Sequence, residues 1–521
     1  MSALFDKQNP TAKGVLISAA LAPARFNRVA QDHTRTKRIL CAITITAALL
    51  AAFASLSWRM LQDTPVMLYQ ANLMARHGAM PYRDFFCINL PGSLWMFELF
   101  IRLFGISDFT VHVFNALIML SFSVLIFLAF SKSCRYCALF CAALGALRIF
   151  AWRWVFVLER ELIALVPIAG LLVLASRNVR YPFLKSIIAG LLLSWLTLIK
   201  PQFVLYGIPF VILFWIENRS WRDRIRFFAE MGIAFCVPLL FFFLWIVRNG
   251  AWAGFKETLA YWPLYGQMTY TYTFVETATR VRAILSGMWK MIGSPYFIVA
   301  FLGLLVGQRN GALSKKQAFL LGGLLVLSVI VPATSGQFWH YHRCPFYYFT
   351  ILSSGFFLAG RKASTALSIL FAIFWIGLAG MRVYLETTIS PVEEVKHNVP
   401  DAFATYLRNH AKPGDRAQPI DWTYGALHGM LMTDTLPATR FVEFSYFLHS
   451  VSTPLIQSLR KEFLTDLEKR PPRFLLEVRS EKWPNGIDAE KHFQAFEDWR
   501  DVHYHVAEQS EHYCIWEYRG K

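Results

Sequence analysis

QDTPVMLYQANLMARHGAMPYRDFFCINLPGSLWMFELFIRLFG, residues 62–105, follows directly on the first long apolar run of the chain. It carries two acids, Asp63 and Asp84, then a turn at Pro91-Gly92 and an amphipathic segment. The spacing predicts a helix over 65–77 with Tyr69, Leu73 and Met74 on its apolar face, and a second helix over 94–103. In the second, Trp95, Phe97, Phe100 and Phe104 sit among Glu98 and Arg102, a mixture suited to lying along a membrane interface rather than crossing it. At a water-filled membrane edge a carboxylate stays ionised without the roughly 2.5–3.5 kcal/mol cost of a helix centre. An acid pair placed there is a candidate for chemistry on something the lipid phase delivers.

The rest of the chain supports a membrane setting. Of its 521 residues 55% are hydrophobic and 16% aromatic, which is too apolar for a soluble protein of this length. The apolar residues fall in runs near bilayer length, predicting an α-helical polytopic membrane protein of about eleven spans. These are 39–58, 108–130, 136–152, 161–176, 186–199, 203–217, 228–247, 286–306, 317–334, 345–360 and 364–382. Basic residues alternate correctly with them: Lys7 to Arg38, Lys132/Arg135, Arg177/Arg180/Lys185, Arg219 to Arg226, Lys315/Lys316 and Arg361/Lys362 all fall on one side. That places the N-terminus in the cytoplasm and, after an odd number of spans, the C-terminal domain outside. The first 38 residues carry no signal-peptide pattern, so the first span reads as an uncleaved anchor. The net charge of +18 is then ordinary positive-inside charge facing anionic lipid, and nucleic acid is not implied as a partner.

The domains expected are a basic N-terminal segment, 1–38, a multispan region, 39–386, with its first external loop at 59–107, and a small extracytoplasmic α/β domain, 387–521. In that domain 401–410, 424–432 and 455–469 read as helices, 416–421 and 474–478 as strands, and 504–518 as a terminal hairpin. It has no glycine-rich phosphate loop, and its expected role is to cover or stabilise a site rather than to act in it. Two further external regions are large enough to contribute. The segment 248–285 is rich in Trp and Tyr (Trp252, Tyr261, Trp262, Tyr265, Tyr270, Tyr272), as an interface belt would be, or a platform for sugar rings or a prenyl chain. The other, 335–344, contains Trp339-His340-Tyr341-His342-Arg343. Cys134-x-x-Cys137 has redox or metal spacing but no second ligand pair, so packing is its expected role.

Asp63, just past the first span, is the candidate catalytic base, against the plainer reading of an interface anchor. Asp84 is the second candidate, against pairing with Arg83 or capping a turn. If the loop folds back on itself, the two carboxyls shift each other's pKa values, and a raised one suits a general base. Arg160, beside Glu159 and Glu161, and Lys200 before Pro201 are candidates for gripping phosphate, against structural pairing with those acids. Arg153-Trp154 flank the same span start. Tyr82, Arg83, His340, His342 and Arg343 complete the candidates for contact with a phosphate or a sugar hydroxyl. No metal site is expected, because the histidines lack carboxylate neighbours in local sequence; a divalent cation is compatible with the acids alone.

Asp63-x5-Tyr69-x-Ala71, Gly78, Pro81-Tyr82-Arg83-Asp84-Phe85-Phe86, Leu90-Pro91-Gly92 and Leu103-Phe104-Gly105 resemble the first external loop of GT-C superfamily glycosyltransferases. The likeness is to the branch containing protein O-mannosyltransferases and the aminoarabinose transferase of lipid A. Ser107-Asp108-Phe109, Glu159-Arg160-Glu161, Ile199-Lys200-Pro201, His340-Tyr341, Tyr406-Leu407-Arg408, Lys412-Pro413-Gly414-Asp415 and Pro437-Ala438-Thr439-Arg440 extend it over most of 39–445. The resemblance implies an inverting transferase of a bacterial inner membrane. It would use a polyprenyl-phosphate sugar donor and a glycan, lipid or protein acceptor, with an acid of the first loop, here Asp63, as base. Two departures stand out. Thr64 replaces the second acid of the family's pair, and Asn89-Leu90-Pro91 replaces Lys-Pro-Pro, with Gly92 and Ser93 restoring no charge. A flippase for a lipid-linked sugar would need charges along a mid-bilayer path or a two-fold repeat, and the chain has neither. A non-catalytic envelope-assembly protein would make no use of the acids.

Overall fold

Proline and glycine break the apolar runs into helices of unequal length, and those breaks build the site. The computed structural model describes residues 35–60, 63–152, 156–177, 181–217, 220–269, 271–359, 362–388, 391–422, 425–479 and 483–520. Most of the basic N-terminal segment, Arg153-Trp154, Tyr270, Arg180, Arg219 and Arg361 therefore lie outside the described residues.

The chain begins with α1 (Arg35–Ser55). Then come α2 (Asp63–His77), α3 (Pro91–Phe104), α4 (Asp108–Phe150), α5 (Arg160–Ser176) and α6 (Pro182–Ile199). A 3-10 turn, Pro201–Gly207, leads into α7 (Ile208–Glu217), α8 (Trp221–Arg248), α9 (Trp252–Tyr265) and the two-residue β1 (Thr273–Phe274). The membrane part closes with α10 (Thr277–Ile292), α11 (Pro295–Arg309), α12 (Lys315–Ser335), α13 (Cys344–Ser354) and α14 (Lys362–Thr388).

Six described helices are long and apolar enough to cross a membrane, or seven if the bent pair α10–α11, which turns by 50°, counts as one span. The expected eleven is not reached on that measure, for identifiable reasons. The expected spans 108–130 and 136–152 are two helices that meet at a kink at Cys134 (φ −152°, ψ 93°) and count once as α4; Trp58 packs on His112 near its start and on Phe150 at its end, so the two halves fold back on each other. The expected span 203–217 opens with the 3-10 turn after Pro201, leaving ten α-helical residues. The expected span 345–360 is the eleven-residue α13 continued by a 3-10 turn, and almost every side chain in it is buried. Hydropathy does not separate a lipid-facing span from a short helix enclosed by its neighbours, and broken helices are tolerated at membrane depth when protein surrounds them. Cys134 and Cys137 form a disulfide at the break in α4, where packing alone was expected.

The C-terminal part is α/β, as its sequence pattern predicts. It contains α15 (Pro391–His410), β2 (Arg416–Ile420), α16 (Ala426–Thr433), β3 (Leu436–Pro437), α17 (Pro454–Lys469), β4 (Phe474–Val478), β5 (Asn485–Gly486), α18 (Gln494–His503), β6 (Tyr504–Gln509) and β7 (Tyr513–Tyr518). The sheet order is β3-β2-β4-β7-β6, parallel across β3-β2-β4 and antiparallel from β4 to β6.

This part is docked directly on the membrane part. One apolar core runs from Leu40 and Tyr69 through to Phe474 and Ile515. Polar ties reinforce it: Tyr69 donates to the Thr435 carbonyl at 2.8 Å, Asn72 to Asp434 at 2.8 Å, and the Phe86 amide to the Arg440 carbonyl at 2.7 Å. The Arg440 guanidinium bridges Glu257 of α9 and Glu462 of α17. β5 pairs with β1 from the loop after α9, so that loop is stitched to the C-terminal sheet region. Gly254 lets α9 lie against the first loop; a Cβ there would stand 1.8 Å from the Tyr82 carbonyl oxygen.

Candidate functional site

Four of the sequence candidates, Asp63, Arg160, Lys200 and His342, line one cavity of about 450 Å³. Each reaches it from a break in secondary structure. Asp63 is the first residue of α2, where the helix dipole favours a negative charge. The next residue, Thr64, donates to the Val157 carbonyl at 2.8 Å and so ties α2 to the turn before α5. In that turn Leu158 adopts φ +51°, a left-handed conformation costly for a branched side chain, and its amide donates to Asn115 at 3.0 Å. The turn delivers Glu159 and Arg160 at the start of α5. Lys200 ends α6 at an extended backbone position. Gly336, at φ +73°, ends α12 and turns the chain toward Tyr341 and His342.

The polar groups form a connected, buried cluster. Lys200 Nζ lies 2.8 Å from Glu161 Oε1 and 3.0 Å from His342 Nε2. Lysine only donates, so Nε2 of His342 accepts and its Nδ1 carries the proton, 3.4 Å from Ser335 Oγ. Burial, with Lys200, Arg160 and Arg343 nearby, pushes His342 well below its usual value and keeps it neutral. Arg160 donates to the Asn89 side-chain oxygen, and Asn89 itself is placed by Tyr82, whose buried hydroxyl donates to the Asn89 carbonyl at 2.7 Å. Arg160 thus reaches the first loop from α5 at Asn89.

Asp63 is half-buried at the cavity wall and hydrogen-bonded by the Tyr341 side chain. Burial raises its pKa; Arg160, the Tyr341 contact and Lys200 oppose the rise, while Glu161 adds to it. Burial, then Asp63 and Glu161, push Glu159 well above the usual carboxylate range. Lys200 is lowered by burial, with Glu161 opposing.

The other candidates lie elsewhere. Asp84 is not beside Asp63: it accepts from both arms of Arg83, at 2.8 and 2.7 Å, and from the Met80 amide at 2.7 Å. Those contacts, Arg83 first, hold its carboxyl below the ordinary value. The carboxyls coupled to Asp63 are Glu159, Glu161 and Glu443 instead. Arg83 also donates to the Asn249 carbonyl at 2.9 Å. His340 is exposed and packs on Trp152, with ring centroids 5.2 Å apart. Neither His340 nor Arg343 lines the cavity. Among the described residues no group of three or more His, Cys, Asp or Glu is arranged to hold a metal ion.

A solved structure of ArnT from Cupriavidus metallidurans bound to undecaprenyl phosphate superposes with TM-score 0.57 at 12% identity, over 91% of this chain and 97% of that one. The same enzyme in the apo state gives 0.56 at 11% identity, over the same shares of the two chains. The chain has the fold of these ArnT structures. A weaker likeness, TM-score 0.47 at 13% identity, is to the arabinofuranosyltransferase AftD from Mycobacteria, of which 40% is matched by 93% of this chain. No sequence-family model and no curated protein matches the chain.

Further residues line the cavity that no local sequence pattern marked as functional. Tyr341 lines the cavity and its side chain hydrogen-bonds Asp63. Arg280, from α10, has a buried Nε without a hydrogen-bond partner among the described residues. Trp422 and Glu443 come from the C-terminal part, which was expected to cover or stabilise the site without any named residue. The one available signal was an acid set in an aromatic run, Phe441-Val442-Glu443-Phe444-Ser445-Tyr446-Phe447.

Proposed function

We propose that this protein is a membrane glycosyltransferase that moves a sugar from a polyprenyl-phosphate donor to a hydroxyl acceptor, with inversion, at the non-cytoplasmic face of a bacterial inner membrane. The observation that carries the reading is that Asp63 and two half-buried cations, Arg160 and Lys200, line the same cavity. Its volume lies within the range of small-molecule sites. The ArnT structure that shares the fold holds undecaprenyl phosphate, which supports a prenyl-phosphate donor here.

In this reading Asp63 takes the proton of the acceptor hydroxyl. The oxygen attacks the anomeric carbon from the face opposite the phosphate, a new C–O bond forms, and the bond to the phosphate oxygen breaks. The prenyl phosphate departs with the electron pair. Arg160 and Lys200 offset the charge that gathers on it, in a site where fixed charges act more strongly than in water. A raised pKa suits Asp63 as a base whose conjugate acid forms during the step. Basic loops on the opposite side support a periplasmic position for the C-terminal domain.

The test is mass-spectrometric profiling of envelope glycans and lipids in a strain lacking the gene, complemented with wild type or Asp63→Asn. One sugar missing from the deletion strain, restored by wild type and not by the variant, is the expected result and names the product. Full rescue by an equally abundant Asp63→Asn protein would remove Asp63 from the chemistry.

A further inference from the structure

The mechanism above uses no group from the C-terminal domain, yet that domain places a carboxyl and an indole in the cavity wall. Glu443 and Trp422 line the same space as Asp63, and both are buried. Glu443 Oε1 accepts a hydrogen bond from the Tyr446 hydroxyl at 2.5 Å, which holds the carboxyl in one orientation. Among the described residues Oε2 has no hydrogen-bond partner, and Glu443 lines the cavity.

Trp422 is fixed as firmly. Its ring meets Tyr272 edge-on, with centroids 4.8 Å apart, and Tyr272 packs on Trp339 at 4.6 Å. Three separate segments of the chain thus meet in one aromatic wall. Phe444 donates its amide to the Asp421 carbonyl at 2.9 Å, so the segments carrying Trp422 and Glu443 are bonded to each other.

The topology points the same way. β2 ends at Ile420 and its parallel neighbour β3 ends at Pro437. Trp422 and Glu443 both follow the carboxyl ends of these strands, where parallel sheets build ligand sites. The first loop and α5 supply charges for a phosphate and a proton; this wall supplies an apolar face beside an oriented hydrogen-bonding carboxyl. A sugar ring needs both, since it has C–H groups to stack and hydroxyls to satisfy.

Building on the transferase reading, we infer that the C-terminal domain provides the sugar-binding wall of the site: Trp422 stacks on the ring of the donor sugar and Glu443 Oε2 takes one of its hydroxyls. Glu443 contacts the sugar away from the reacting carbon and sets its position.

The test uses the full-length protein in lipid nanodiscs, with a lipid extract from cells lacking the gene as donor source and product followed by mass spectrometry. Initial rates are measured against the amount of extract for wild type, Glu443→Gln, Trp422→Phe, Trp422→Ala and Asp63→Asn. For Glu443→Gln and Trp422→Ala the extract needed for half-maximal rate should rise about tenfold or more, the loss of one strong contact, while the maximal rate holds within about threefold. Trp422→Phe, which keeps an aromatic face, should lie between wild type and Trp422→Ala, and it serves if the alanine variant does not fold. Unchanged saturation curves for folded Glu443→Gln and Trp422→Phe would overturn the inference, as would a loss confined to maximal rate. Full turnover by Asp63→Asn would instead overturn the transferase mechanism, and the two failures are read from different variants.

Discussion

The ammonium of Lys200 sits 2.8 Å from Glu161 Oε1, with the side chains only 13% and 2% exposed. Neither charge has water enough to stand alone, so the pair holds the ends of α5 and α6 together at the cavity while leaving Lys200 on its wall. Lys200→Ala strands the Glu161 carboxylate and should lower stability by about 3–5 kcal/mol, read as a drop in melting temperature. Adding Glu161→Gln removes the stranded charge. The double variant should recover most of the stability and none of the turnover, which separates the structural use of Lys200 from its proposed phosphate-binding use.

Asp63→Asn keeps the size of the side chain and removes the base. The maximal rate should fall by about 10²–10⁴-fold, the range for loss of a general base, with the melting temperature near wild type. Retention of more than a tenth of the wild-type rate by a folded variant would count against the assignment.

The pH dependence carries its own sign. Asp63 faces Arg160, Tyr341, Glu161 and Lys200, with Glu159, Glu443 and Tyr265 also in its field. A base must be ionised, so the rate should rise with pH through a limb placed above the ordinary carboxylate value. The Tyr341 hydrogen bond favours the charged form; Tyr341→Phe should therefore move that limb to higher pH. A shift to lower pH, or none, would contradict the hydrogen bond as the cause.

Glu443 gives a stability prediction of opposite slope. Burial first, then Asp63 and Asp421, raise it to about 7 from 4.5, while Tyr446 and Arg160 oppose; Tyr261 and Tyr265 also face it from α9. The fold therefore binds this proton more tightly than the unfolded chain does. Its ionisation costs stability as pH rises from about 4.5 to about 7, and the loss persists above that. Glu443→Gln should be more stable than wild type by about 3 kcal/mol at about pH 8 and little different at about pH 5. Equal melting temperatures at the higher pH would show that the carboxyl is solvated.

Asp84 and Arg83 are more exposed, at 36% and 47%, and satisfy each other. Asp84→Asn should leave turnover within about threefold and cost no more than about 1 kcal/mol, as exposed ion pairs do. A loss of turnover matching that of Asp63→Asn would restore Asp84 to the chemistry.

Much of this protein can be derived from its residues in order. Apolar runs of bilayer length, alternating basic loops and a polar α/β tail specify a polytopic helical protein, because hydropathy and secondary-structure period are local properties. The tail illustrates it well: the strand over 474–478 and the hairpin over 504–518 stand where their alternation and breakers put them. Asp63, Arg160 and Lys200 were legible because a charge beside an apolar run is costly wherever it sits. The exact number of membrane-crossing helices was less legible, since α13 is apolar through burial among neighbours and the segment after Pro201 opens as a 3-10 turn.

Only the tertiary structure decided which acids share a site. Asp63 and Asp84 are about twenty residues apart in sequence, yet Arg83 claims Asp84 locally. Asp63 instead shares its field with Glu159 and with Glu443, which comes from the far end of the chain. Electrostatic coupling depends on distance and burial in space, and a sequence states neither. The docking of the C-terminal domain, through one continuous core and the ties at Tyr69, Phe86 and Arg440, is what turns its aromatic run into a cavity wall.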